Sequence, residues 1–556
     1  MLNRFLLFLA LLLFPATVSA QGLVSAAEPR AAEAGREILR EGGSAADAEM
    51  AMMLALTVVE PQSSGIGGGG FLLYQEARTG KLSTIDGRET APAGATPRLF
   101  LGPDGKPLPF IQAFPGGYSV GVPGNIALLA MVHKKWGKLP WASLFEPAIR
   151  LADQGFAISP RLAESIAGAS RLWKDFPATR QLYTDANGQP LRAGTTLRNP
   201  ALAATLRKLA AAGPEAFYQG EVGQSISAAV AGSARNPTQL AAADLAGYRA
   251  RERAPVCGRY RGYRICGMGP PSSGAVTILQ ILGMIERFDL KSWGPRDPRS
   301  WHVIAEAMKL AYADREKWLG DRDFVAVPLK GLIDPAYLRR RSQLIAPDKS
   351  LGHYEAGIPP GAPPRTAAVS GEVSGTTHFV AVDRAGDIAT MTSTVEGPFG
   401  SQLLASGFVL NNELTDFSFA PEVGGAPVAN RVQPGKRPLS SMSPTIVYDA
   451  RGKPVLALGS AGGKRIIMHV AKTLIGALDF GLPVQDAIAL PNIYFSNTAT
   501  LVEQGTFLSE MSSALARIDG LVVSSQLPSK VNAAQRTPTG WRGAADPRVD
   551  GVSLQE

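Results

Sequence analysis

Two runs with strand-like alternation, Thr377–Val382 and Ile388–Thr394, are separated only by Asp383-Arg384-Ala385-Gly386-Asp387. Alternation with a period of two marks strands, and a three-residue loop with glycine in the left-handed position closes a hairpin. With Asp383 and Asp387 as the flanking pair, Val382 faces Ile388 and Thr376 faces Thr394. Directly opposite residues have Cβ atoms ~4.5–5.5 Å apart, so this register sets two hydroxyls side by side. A slip of one residue would part them.

The residue before the pair is Gly375, and a passage poor in large apolar residues, 347–375, precedes it. Such a passage buries little surface and is expected to be exposed and flexible. A threonine hydroxyl is a weak nucleophile and needs a base. If the Gly375–Thr376 bond is cut, Thr376 gains an α-amine whose ordinary pKa is ~7.7–8, so part of it is neutral near pH 7 and can serve the hydroxyl of its own residue. The same hydroxyl can first attack the unhindered Gly375 carbonyl. Two adjacent threonines also suit a strand with no chemistry at all, and the hairpin alone does not choose between these readings.

Arg4, the apolar run from Phe5 to Phe14 and Val18-Ser19-Ala20 read as a signal peptide over residues 1–20, which implies a periplasmic or secreted protein with no membrane attachment after cleavage. Export favours oxidation, and the two cysteines, Cys257 and Cys266, flank a predicted hairpin, so a disulfide between them is expected. Five scattered histidines offer no ligand spacing, so no metal or other cofactor is expected. The net charge is +9 without a basic run, which argues against a nucleic-acid partner.

Helices are predicted over Pro29 to Arg40, Ala45 to Val59 with Ser44 as cap, Trp301 to Trp318 and Arg465 to Phe480. Strand signals lie early, at Phe71 to Gln75 and Leu82 to Asp86, and return after residue 375. Strands at both ends with helices between them suggest one composite layered unit. The run GIGGGG matches a dinucleotide fingerprint by letter, but a strand follows it instead of a helix, so that reading fails.

Further motifs occur in order: VVEPQSSGIGGGGFLLYQ, DGRETAPAGA, PPSSGAV, SGTTHFVAVD, VLNNELTDFSF, KRPLSSMSPTIV, LGSAGGKRI and AADPRVDG. Together they resemble the γ-glutamyltranspeptidase family of self-processing N-terminal-nucleophile hydrolases, along nearly the whole mature chain. The resemblance implies a four-layer αββα sandwich of α/β (α+β) class, one composite domain made by a large subunit (21–375) and a small catalytic subunit (376–556). It implies Thr376 as nucleophile, Thr394 as its hydroxyl partner, and Gly462 and Gly463 as backbone donors to the oxyanion. Arg88 would take the substrate α-carboxylate, with Ser440 and Ser441, while Glu413 and Asp416 would hold the α-ammonium. The partners would be a small γ-glutamyl substrate and water or an amino-acid acceptor.

Two departures from the family pattern stand out. Glu396 occupies a position commonly asparagine in the transpeptidases, which puts three carboxylates near one ammonium. The segment between Asp416 and Ser440 is short and has no tyrosine, so a more open site favouring hydrolysis is expected. An acylase of the cephalosporin or glutaryl type is the alternative enzyme. An unprocessed, non-catalytic binding protein is the alternative outside catalysis.

Overall fold

The computed structural model describes residues 21–368 and 375–556, so the stretch read as a signal peptide, 1–20, lies outside the described residues. Strands β1 (Leu23–Ala26), β2 (Gly69–Gln75), β3 (Leu82–Gly87), β4 (Arg251–Arg253), β5 (Val256–Tyr260) and β6 (Tyr263–Gly267) precede residue 375. Strands β7 (Thr377–Val382), β8 (Ile388–Thr394), β9 (Thr445–Tyr448), β10 (Pro454–Gly459), β11 (Asn532–Thr537), β12 (Gly540–Ala545) and β13 (Val552–Gln555) follow it. One sheet runs β13-β1-β7-β8-β2-β3-β4 and the other β12-β11-β10-β9-β6-β5. Each sheet takes strands from both sides of Gly375. A cut there would leave two pieces interlocked by backbone hydrogen bonds.

The alternating residues of the inner strands divide between two cores. Phe379 and Ala381 of β7, with Leu72 and Tyr74 of β2, face helices α1 (Pro29–Arg40) and α2 (Ala45–Val59). Val380 and Val382, with Phe71 and Leu73, face the second sheet at Ile446 and Ala457. Helices α3 (Gly274–Ile285) and α4 (Ile466–Leu478) cover that sheet's outer side. The four layers are therefore helix, sheet, sheet, helix. Every residue of α2 is buried, as an all-round apolar helix requires. Ser44 caps it reciprocally: Asp47 N–H donates to Ser44 Oγ at 3.1 Å, and Ser44 N–H donates to Asp47 Oδ2 at 2.9 Å.

The β7–β8 hairpin has the expected register, with Val382 opposite Ile388 and Thr377 opposite Ser393. Gly386 closes the turn at φ 85°, and its N–H donates to the Asp383 carbonyl at 2.9 Å. Cys257 and Cys266 face each other across β5 and β6 and form a disulfide. The bridge closes a loop of nine residues in sequence separation, for which chain entropy allows about 2–3 kcal/mol. The paired strands already restrain that loop. Reduction is expected to lower Tm by only a few degrees and to spare activity, read by thermal unfolding with and without reductant and by thiol titration.

The segment expected to be exposed lacks helix and strand over residues 347–368, but it is tied down at particular points. Trp318 Nε1–H donates to the Gly357 carbonyl at 3.1 Å, Gly357 N–H donates to Asp314 at 2.7 Å, and Thr366 bridges Val428. These anchors are backbone groups meeting buried partners, which a count of apolar residues does not register. Residues 369–374, just before the expected cut, lie outside the described residues.

His302, Glu306 and Asp519 converge in the interior. Lys309 Nζ donates to both Asp519 oxygens at 3.0 Å and to Glu306 at 3.2 Å, so the cluster already holds a cation. Among the described residues no helix is long and apolar enough to cross a membrane.

Candidate active site

The glycine run of residues 67–70 proves to be a packing device for the hairpin. A Cβ at Gly68 would meet the Thr394 carbonyl oxygen at 1.9 Å, and one at Gly67 would meet that of Val409 at 2.0 Å. Only glycine lets β2 approach this closely. Gly375 is constrained the same way, since a Cβ there would meet the Glu396 carbonyl oxygen at 1.9 Å.

Thr376 precedes β7 at φ 90°. A β-branched residue rarely adopts this conformation, which costs about 1–3 kcal/mol and persists only where neighbours hold it. The neighbours are specific. Thr376 N–H donates to the Ser63 carbonyl at 3.0 Å, and Lys530 Nζ donates to the Thr376 carbonyl at 3.2 Å. Lys530 also donates to Glu60 Oε1 at 2.6 Å and Ser63 Oγ at 2.9 Å, while the Thr377 hydroxyl donates to the other Glu60 oxygen. Thr376 Oγ1 lies 3.0 Å from Thr394 Oγ1. The Thr394 hydroxyl accepts the Glu396 N–H at 2.8 Å, which leaves its proton available to Thr376.

All predicted catalytic and substrate residues except Gly462 line one cavity with Thr376, joined by Met442 and Ile466. Gly463, at φ 60°, lines it too; Gly462, at φ 132°, lines a neighbouring cavity. Arg88 crosses the site and is buried. Its Nη1 donates to Glu413 and its Nη2 to Asp416, and further bonds reach the carbonyls of Pro438 (3.2 Å) and Leu439 (3.0 Å). In the continuous chain, then, the guanidinium expected for a substrate carboxylate and the carboxylates expected for its ammonium hold each other. Glu413 Oε2 and Asp416 Oδ1 remain without hydrogen-bond partners among the described residues. Ser440 Oγ accepts from Met442 N–H at 3.2 Å, and Ser441 Oγ accepts from Arg315 at 2.9 Å.

The short segment after Asp416 leads to the expectation of an open site, yet Thr376, Glu396 and Asp416 are each only 4% exposed. The cavity measures about 20 Å³, room for about one water. Arg88, Glu413 and Asp416, holding one another, form part of its wall.

A fourth carboxylate, Glu89, was not anticipated. It is fully buried beside Arg88, whose Nη1 lies 3.9 Å away. Burial pushes Glu89 up to about 7 against the pull of Arg88. Burial likewise raises Asp416 to about 6, with Arg88 opposing and Glu413 adding, and holds Glu413 well above the ordinary carboxylate range. One guanidinium does not balance four buried carboxylates, which favours the protonated form of some of them. The signal for Glu89 was its place next to Arg88 in DGRET, but neighbours in a strand normally point to opposite faces. Glu60 and Lys530 were also missed, because they are 470 residues apart in sequence.

Two facing sheets between helical layers, with a threonine at the head of an inner strand and a second hydroxyl against it, define an enzyme of the N-terminal-nucleophile hydrolase class. The family description Gamma-glutamyltranspeptidase matches residues 31–555, and the chain belongs to that family. It is 39% identical over 492 residues to a glutathione hydrolase proenzyme of Bacillus subtilis (strain 168), covering 87% of this chain and 82% of the relative. It is 34% identical over 550 residues to the acylase ACY 1 proenzyme of Pseudomonas sp. (strain V22), covering 97% and 94%. The crystal structure of cephalosporin acylase from Bacillus halodurans superposes with a TM-score of 0.84 at 28% identity, covering 96% of each chain.

Proposed function

We propose that this chain is a self-processing hydrolase of γ-glutamyl amides such as glutathione, acting through a threonyl acyl-enzyme. The observation that carries the reading is the Thr376–Thr394 hydroxyl pair opening on the cavity where Arg88, Glu413 and Asp416 meet. In the continuous chain Thr376 Oγ attacks the Gly375 carbonyl, the peptide bond shifts to an ester, and water releases the Gly375 carboxylate. The strained backbone at Thr376 favours that step. The freed α-amine then accepts the hydroxyl proton as Oγ attacks the γ-carbonyl, with Gly462 and Gly463 N–H groups holding the oxyanion. The proton passes to the departing amine, and water or an amino acid releases the glutamyl group. The segment between Asp416 and Ser440 is short and carries no tyrosine to shield the acyl group from water, so hydrolysis is expected to dominate transfer. The export reading of residues 1–20 places the enzyme in the periplasm or outside the cell.

Binding exchanges partners: the substrate α-carboxylate takes Arg88, and its α-ammonium takes the released carboxylates. Folded-state values near 6 for Asp416 and 7 for Glu89 then give a sign. These carboxyls are protonated below that range and deprotonate as pH rises through it. Affinity for an ammonium-bearing acyl group rises from pH 5 to 7.5, by roughly tenfold per group fully deprotonated. A glutaryl group, lacking the ammonium, loses affinity over the same range. Release of p-nitroaniline from γ-glutamyl- and glutaryl-p-nitroanilide across this pH range tests both points. A preference for the glutaryl substrate across this range would replace the γ-glutamyl reading by the acylase one, which the acylase relatives and Glu396 favour.

A further inference from the structure

On the other flank of the nucleophile a second cavity of about 60 Å³ is lined by Ser63, Arg161, Gly375, Gly462, Ser529 and Lys530, among others. We propose that this cavity receives the group leaving the scissile amide, and that Arg161 binds that group's carboxylate. The inference rests on Thr376 being the nucleophile.

Gly462 lines this cavity and Gly463 lines the acyl cavity, so the pair of oxyanion donors stands between the two. A carbonyl held there with its acyl chain among Arg88, Glu413 and Asp416 directs its amide nitrogen the other way. Gly375 forms part of the wall, so the cavity enlarges when the chain is cut and its end departs.

Lys530 is buried and committed to Glu60, Ser63 and the Thr376 carbonyl. Its ammonium and the Glu60 carboxylate balance each other. Arg161, half-buried at the start of the helix Pro160–Ser170, makes no ion pair or hydrogen bond among the described residues. Its charge is felt at both members of the pair: burial and Arg161 together bring Lys530 down to about 8, and Glu60, although buried, is held below its ordinary range by Lys530 and Arg161. A guanidinium with no ion-pair partner among the described residues, in a cavity that suits one carboxylate, selects an anionic leaving group, as amino acids and peptides supply.

The test compares glutathione with glutathione amide, in which the terminal carboxylate is a carboxamide. Processed wild-type enzyme is expected to prefer the acid on the order of 10-fold in kcat/KM, mainly through KM, as for loss of one charge-assisted bond. Arg161→Ala is expected to bring that ratio to within about twofold of unity, and Arg161→Lys to restore part of it. A ratio unchanged by Arg161→Ala, or near unity in the wild type, overturns the proposal. An enzyme that cuts neither compound instead sinks the γ-glutamyl reading, and the same acid and amide pair built on the accepted acyl group then decides the subsite.

Discussion

Replacing Thr376 by alanine is expected to leave a single uncut chain with no amidase activity, a loss on the order of 10⁴-fold or more in kcat. The hydroxyl that would attack Gly375 is gone, and so is the amine that the cut would free. Alanine lacks the branched Cβ, so it relieves some of the strain at φ 90°, and the variant should fold at least as well as the parent. A denaturing gel with intact mass reads the outcome: one species for the variant, two for the parent, the smaller beginning at Thr376. If the alanine variant splits at the same bond, an external protease does the cutting and the processing mechanism fails. Thr376→Ser keeps a hydroxyl and is expected to process, which separates chemistry from folding.

Arg88→Leu is expected to have the second largest effect, and on stability as well as activity. Arg88 is the guanidinium to which Glu413 and Asp416 donate no proton and from which both accept, with Glu89 close behind. Breaking a buried ion pair by removing one partner costs about 3–5 kcal/mol, because the remaining charge stays buried. The sign with pH follows from the raised carboxyls. The folded state of the variant holds protons that the unfolded chain has released above pH ~4, so stability is fullest below that pH and is lost as pH rises through 6 to 7 and beyond. The Tm deficit against the parent should therefore be small at pH 4.5 and largest at pH 8. Activity toward γ-glutamyl amides should be lost at every pH, since the α-carboxylate has no partner. A deficit independent of pH would mean that the carboxyls are not the groups left uncompensated. Arg88→Lys restores the charge without the bidentate fork, and is expected to recover more stability than activity.

Much of the fold was legible because the signals are local. The β7–β8 register follows from a period of two and a glycine turn, and α1, α2 and the Ser44 cap from helix periodicity and capping chemistry. The strand limits at 377–382 and 388–394 came out as read. The helix read from Trp301 begins at Pro298, since a proline suits a first turn and Asp297 caps it. The candidate site was legible through motifs, and nine of its residues do meet in one cavity. Their pairing was not legible. Arg88 lies 325 residues from Glu413 and Lys530 lies 470 from Glu60. Glu89 emerges as a buried acid only because β3 ends at Gly87, after which strand alternation no longer governs which way a side chain points.

The amino-acid order by itself pointed to a register in which Thr376 and Thr394 face one another, because a tight glycine turn sets which residues pair, and the structure has that register. The tertiary structure alone decided that Arg88 is held by Glu413 and Asp416, that Lys530, paired with Glu60, holds the Thr376 backbone, and that Arg161 lines one cavity with Gly375 without an ion-pair partner among the described residues. Those outcomes depend on which charged groups are driven into the same dry space, and burial makes each of them choose whichever opposite charge the packing brings within reach.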